Sequence, residues 1–362
     1  MQEKSKYYFP QLDSIRGLSF LAVFFFHAVH PHFGTGFFSR MAQYLYNNLV
    51  LSIDVFFILS SFLLTWLGIN EYKEKGNFSF VNYFIRRILR IWPLYFLIMI
   101  FSFILLPYLQ VSVTLPPAYY YVYFISNFYL EGHVYFLRFL WTLSVEEQFY
   151  LIWGLCLLLF QKRMLVCVVL FIGISVGYTI YAIYNKIPHD LNTLTYLFDF
   201  AVGILAAIIL QKDNYIVDFF KKLTKRNSGL FFLVLPAIFI AMFCALDFGP
   251  AYFAPWLDLM GRYIFIIFTG LFIIEQMVNE KTVLKLKSLR FLVYTGKISY
   301  GLYCFHGIVL AFGSVILEKL NISMPEILRA IIFLLVNYIV AAISYRFIEK
   351  PFLRLKNKLR RI

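Results

Sequence analysis

The sequence predicts an all-α fold: a polytopic membrane helix bundle of about ten transmembrane helices, both termini cytoplasmic, forming one domain over residues 1–362. Three observations carry this. The chain is 61% hydrophobic and 14% charged, with a mean hydropathy of +0.75, whereas soluble domains are about 25% charged. It contains about ten apolar runs close to the length that crosses a bilayer. Its lysines and arginines crowd onto one set of loops, which the positive-inside rule places in the cytoplasm. The net charge of +14 is therefore topological, with an affinity for anionic lipid headgroups, and does not point to nucleic acid.

The first run, 15–33, follows Lys4 and Lys6. It holds Arg16 and has no small-residue cleavage site, so it is a retained helix, and Pro31 marks its end. The second, 44–67, carries Asp54 near its outer end and the adjacent Ser60 and Ser61, a pair suited to close helix contact. An inner loop from Asn70 to Arg90 adds Lys73, Lys75, Arg86, Arg87 and Arg90, and Pro93 predicts a break or first turn as the third run, 91–109, begins. The longest outer connection, Pro107 to Trp141, contains Tyr119, Tyr120, Tyr121 and Tyr123. These are interfacial anchors or a glycan-stacking surface. Runs 143–160 and 165–184 flank Lys162 and Arg163, and run 191–210 follows. The segment Lys212–Ser228 is basic and amphipathic and is expected to lie on the membrane surface. Runs 229–246, 259–278, 292–316 and 327–348 complete the bundle. Inner positions between and after them hold Lys281, Lys285, Lys287, Arg290 and a basic tail from Lys350 to Arg361. The outer loops and their edges hold Arg40, Arg138, Lys186, Arg262 and Lys319. Cys156, Cys167, Cys244 and Cys304 all fall inside runs without CxxC spacing and read as small core hydrophobes. No metal-ligand spacing and no phosphate-binding glycine loop is present, so no metal is predicted.

Ionisable residues inside such segments are expensive and point to function. Arg16 and His27 are eleven residues apart, so they share one helix face about 16 Å apart along the axis. One end of that face suits an anion, the other a proton. Asp13 lies one turn before Arg16; His30 and His32 follow His27. Arg87 and Arg90, at i and i+3, are a topology signal or a phosphate clamp. Glu146 and Glu147 open the fourth run, where the helix dipole favours carboxylates. They point about 100° apart, so at most one faces a given partner, and Tyr150 lies within one turn of both. Ser299, Tyr303 and His306 share a face, either as a packed polar cluster or as a substrate site. Arg346 and Glu349, one turn apart before Pro351, read as a structural terminus.

Six stretches together resemble the acyltransferase-3 family of integral-membrane acyltransferases. In order they are Leu12 to Gly17 with Arg16 and His27 as an Arg-x10-His pattern, Ser52 to Leu63, Arg86 to Tyr95, Thr142 to Tyr150, Ile298 to His306, and Tyr345 to Phe352. Ser14, Ser52 and Ser61 stand where the family usually has glycine, and Trp92 where it has tyrosine. The serines bear on how closely spans 1 and 2 can approach their neighbours. The resemblance implies transfer of an acyl group, usually acetyl from acetyl-CoA, to a hydroxyl of a glycan, lipid-linked saccharide or lipid at the bacterial cytoplasmic membrane. Acyl-CoA is then a substrate, and no tightly bound cofactor is expected. Some relatives carry an extra extracytoplasmic esterase-like domain. This chain, ending at its tenth run, is expected to work alone or with a separate extracytoplasmic partner protein.

In that reading Arg87, Arg90 and Arg16 hold the phosphates of coenzyme A, and His27 is the general base or an acyl relay. Asp54, or one of Glu146 and Glu147, orients the imidazole. Tyr150 or a donor from the ninth run steadies the oxyanion. Ser299, Tyr303 and His306 bind substrate, with His306 the rival base. The competing reading is a transporter or flippase for lipid-linked saccharides, which also uses intramembrane charge. Such proteins often show internal repeats, and none is visible here.

Overall fold

A computed structural model describes residues 8–105, 115–129 and 135–359; Lys4, Lys6, Pro107, Arg360 and Arg361 lie outside them. The described residues contain helices and no strand. In chain order the helices are α1 (Pro10–Ala28), α2 (Phe37–Asn47), α3 (Ser52–Lys75), α4 (Phe80–Ile100) and α5 (Trp141–Leu159). They continue as α6 (Met164–Tyr184), α7 (Leu197–Leu210), α8 (Tyr215–Lys222), α9 (Lys225–Phe248) and α10 (Ala254–Val278). The last are α11 (Arg290–Lys297), α12 (Ser299–Lys319), α13 (Glu326–Ser344) and α14 (Lys350–Leu359).

Each of the ten expected spans has a helical counterpart. Among the described residues, eight helices are long and apolar enough to cross a membrane, and α7 with α8, bent by 80°, makes a ninth if the pair is one span. The protein is thus a multi-pass membrane protein. α1 has the length, 19 residues, but Asp13, Arg16 and His27 dilute its apolar character. Local chemistry sets several helix starts. Pro10 sits in the first turn of α1, where its missing N–H costs nothing. The Ser79, Asn214 and Thr224 side chains accept from the backbone N–H groups that open α4, α8 and α9.

Two expectations change. Pro93 does not begin a helix; α4 starts at Phe80 and runs through it. Membrane helices tolerate proline where neighbouring groups meet the freed carbonyl. The run 292–316 is not one span but breaks at Ile298 into α11 and α12.

The chain forms two compact units. The first gathers residues up to Glu71, Val168–Ile187 and Tyr196–Lys297. Its core includes Leu12, Ile15, Ile58, Leu59, Phe62, Ala207, Ile266 and Ile273. Here α1 and α11 meet backbone to backbone. A Cβ on Gly296 would collide with the Asp13 carbonyl, and one on Gly17 would come 2.6 Å from the Leu292 carbonyl oxygen. Ser14 Oγ donates to the Leu286 carbonyl at 2.8 Å. Likewise a Cβ on Gly203 of α7 would strike the Ile58 carbonyl and Ser61 Oγ of α3. The serines at the usual glycine positions therefore do not prevent close approach of spans 1 and 2 to their neighbours: Gly17 on α1 itself, Gly296 and Gly203 make the room. In the last turn of α10, buried Glu275 accepts from Ser228 (2.9 Å), Asn279 (2.8 Å), Gln276 (2.8 Å) and Thr282 (3.2 Å). These bonds pin the loop that leads to α11.

The second unit comprises Tyr72–Cys167, Pro188–Thr195 and the chain from Ile298 onward. Leu94, Tyr95, Ile98, Tyr121, Phe124, Leu143 and Cys304 form its core. Tyr95 donates to the Tyr121 carbonyl at 2.8 Å, and Asn337 of α13 donates to the Leu302 carbonyl of α12 at 3.0 Å. The tyrosine cluster divides: Tyr121 is buried, while Tyr119 and Tyr123 are exposed. Between α13 and α14 the backbone makes a π turn, Tyr345–Glu349. The wider turn shifts the helix phase, so Arg346 is exposed and Glu349 buried. The expected Arg346–Glu349 pair does not form; the Arg346 guanidinium lies 5.5 Å from the Phe347 ring centre.

Candidate functional site

In the first unit, α1 carries the Arg-x10-His pair. Arg16 is mostly buried, with Nη1 3.6 Å from Asp13 Oδ1. His27 occupies the last turn, half-buried. The helix stops at Ala28 because Val29 turns extended (φ −115°, ψ 142°), which leaves His30 and His32 exposed beyond it. The Tyr46 hydroxyl donates to the Phe26 carbonyl at 2.8 Å and anchors this end.

Asp54 is placed differently from its expected role as imidazole partner. Arg262 of α10 donates from Nε to Asp54 Oδ2 (3.0 Å) and from Nη2 to Oδ1 (3.5 Å). The same Nη2 reaches Asp199 Oδ2 of α7 at 2.9 Å, and the guanidinium lies 4.7 Å from the Tyr196 ring centre. Asp54, Asp199 and Arg262 thus stitch α3, α7 and α10 together. Asp199 was missed in the sequence, although a lone carboxylate in so apolar a run is a functional signal by itself. Arg262 was counted only as an outer-edge charge.

The second unit assembles the remaining candidates on α4, α5 and α12. Glu146 and Glu147 diverge as their spacing predicts. Glu146 Oε2 accepts from the Tyr150 hydroxyl at 2.8 Å. Glu147 Oε2 accepts from Trp92 Nε1 of α4 at 3.3 Å. The Tyr83 hydroxyl donates to the Tyr150 carbonyl at 3.0 Å and locks α4 to α5. Arg87 is buried on the same face of α4, within electrostatic reach of Glu147 and Tyr150. Two positions in this set stay open: among the described residues, Glu147 Oε1 and Arg87 Nε are buried with no hydrogen-bond partner. Arg90, one turn on, is half-buried.

On α12, Ser299, Tyr303 and His306 are all buried. Thr142 Oγ1 donates to the Tyr303 hydroxyl at 2.9 Å, and that hydroxyl donates to the Phe139 carbonyl at 3.1 Å. His306 Nδ1 lies against the Tyr303 carbonyl, and its ring centre is 4.3 Å from that of Phe139. This arrangement fits a packed polar cluster. Trp92 was noted only as a departure from the family pattern, yet its indole N–H holds Glu147, a bond a phenol at that position would make differently.

A family profile described as an acyltransferase domain matches residues 9–346. The chain is 26% identical to the peptidoglycan O-acetyltransferase of Listeria monocytogenes over 96% of its own length and 56% of the relative's. A provisionally named O-acetyltransferase of Staphylococcus aureus is 27% identical over 96% of this chain and 58% of its own. A protein of Bacillus subtilis, provisionally named a peptidoglycan O-acetyltransferase, is 25% identical over 95% of this chain and 55% of its own. The chain therefore spans a little over half the length of these relatives. No solved structure matches it.

Proposed function

The chain belongs to the acyltransferase-3 family of integral-membrane acyltransferases, and from that premise we propose that it moves an acetyl group from acetyl-CoA to a hydroxyl of a cell-surface or lipid-linked glycan. The observation that carries this reading is the open polar set on α4 and α5. Arg87 and Glu147 are both buried, within electrostatic reach of each other, with hydrogen-bonding positions unused among the described residues, as a site awaiting a polar substrate requires. The names of the relatives favour peptidoglycan as the acceptor. Positive loops favour cytoplasmic termini, and with them a donor entering from the cytoplasm of a bacterial inner membrane.

In this mechanism Arg87 and Arg90 bind the donor's phosphates. The acceptor oxygen attacks the thioester carbonyl, its C–O bond forms, and the C–S bond breaks. His27 takes the hydroxyl proton as attack proceeds, and the thiolate leaves with a proton from the medium. Glu147 fixes donor groups through Oε1, and the Glu146–Tyr150 bond keeps the phenol available to the developing oxyanion. An acyl-enzyme route uses the same base.

Thiol release from acetyl-CoA by the purified protein, with and without a peptidoglycan fragment as acceptor, tests the proposal. Acceptor-dependent release is expected, as is a mass gain of one acetyl group on the glycan. His27→Ala and His27→Gln should lower the rate by roughly 10²–10⁴-fold with the protein still inserted. Wild-type protein that releases no thiol overturns the reading and favours a flippase. Full activity of either His27 variant at matched expression removes the base.

A further inference from the structure

Glu349 has no role in the scheme above, yet it is buried in the second unit and its Oε1 receives no hydrogen bond. Its position is fixed from three sides. The π turn Tyr345–Glu349 packs on α4. The Tyr300 hydroxyl donates at 2.6 Å to the carbonyl of Ile91, the residue after Arg90. A Cβ on the next residue of α12, Gly301, would come 2.9 Å from Glu349 Oε1. The Glu349 carboxylate and the Arg90 guanidinium are thereby in electrostatic reach, without closing an ion pair among the described residues. A buried carboxylate is expensive unless something uses it, and single π turns within helices are frequent at functional sites. A purely structural role is available: an anion at the first turn of α12, where the helix dipole favours negative charge. That role makes no demand on Arg90.

The geometry points to Glu349 as a positioning residue that holds Arg90 in the orientation in which it grips the acyl donor's phosphates. This rests on the acyl-CoA reading above, and its sign is diagnostic. Removing a negative charge near a phosphate site by itself strengthens phosphate binding. Releasing an arginine from its orientation weakens it.

Two measurements on the full-length protein test this. The first is modification of Arg90 by a guanidine-reactive dicarbonyl in native membranes, read by mass spectrometry. The second is calorimetry with coenzyme A on purified protein. Glu349→Gln, which keeps the shape and removes the charge, should raise Arg90 modification several-fold. It should weaken coenzyme A binding about tenfold, and have no further effect on binding in an Arg90→Ala background. Gly301→Ala displaces the carboxylate while keeping its charge and should act in the same direction. Unchanged Arg90 modification in both variants overturns the proposal, as does unchanged or tighter coenzyme A binding in Glu349→Gln. If modification rises but wild-type protein binds no coenzyme A, the hold on Arg90 stands and its donor role falls, together with the acyl-CoA reading.

Discussion

Both units bury charge, but they bury it in opposite ways. In the first, Arg262 closes ion pairs with both Asp54 and Asp199, one cation between two carboxylates on three helices, with Asp199 Oδ1 left without a hydrogen-bond partner among the described residues. In the second, Arg87 and Glu147 are within electrostatic reach but close no ion pair, and among the described residues each keeps a buried polar atom unused. A closed cluster holds helices in place, whereas an open one holds a binding position ready. The difference suits Arg262 to stability and fits the donor-binding role proposed for Arg87, although the two arginines are similarly buried.

Three variants break or sharpen that contrast. The largest effect should come from Arg262→Ala. It leaves two aspartates without a counter-charge and should destabilise the protein by about 3–5 kcal/mol, seen as lost thermal stability in detergent. Arg262→Lys should recover part of this, since lysine cannot reproduce the forked contact. If Arg262→Ala is as stable as wild type, the cluster is not the tie it looks like. Glu147→Gln should do the reverse: thermal stability near wild type, with acetyl transfer reduced roughly 100-fold. A strongly destabilised Glu147→Gln would place that carboxylate in the closed class. Arg87→Ala should raise the donor KM about tenfold or more, as loss of a charged hydrogen bond predicts, with a smaller change in kcat. A kcat loss at unchanged KM would move Arg87 from donor binding to the chemical step.

The sequence carried the helical class and most helix positions, because apolar length and basic loops report directly on the membrane. It also carried the divergence of Glu146 and Glu147, which follows from helix geometry alone. What it hid depends on partners distant in the chain. Asp54 looked available for an imidazole until Arg262, 208 residues away, claimed both its oxygens. Pro93 looked like a helix start because its cost is local and its compensation is not. The Arg346–Glu349 pair failed because one π turn changes the phase that i, i+3 spacing assumes. The break at Ile298 lies inside an apolar run whose hydropathy gives no hint of it; Gly296, two residues earlier, was the visible sign.

Gly17 and Gly296 also have a consequence for how this sequence can drift. Every missense change at a glycine installs at least a Cβ. At these two positions the obstacle is main chain, the Leu292 and Asp13 carbonyls, which every amino acid presents alike. A second substitution elsewhere can shrink a side chain but cannot shrink a carbonyl, so no compensating partner exists for either site. Descendants of this chain should therefore keep both glycines, or lose both only by moving α11 bodily away from α1.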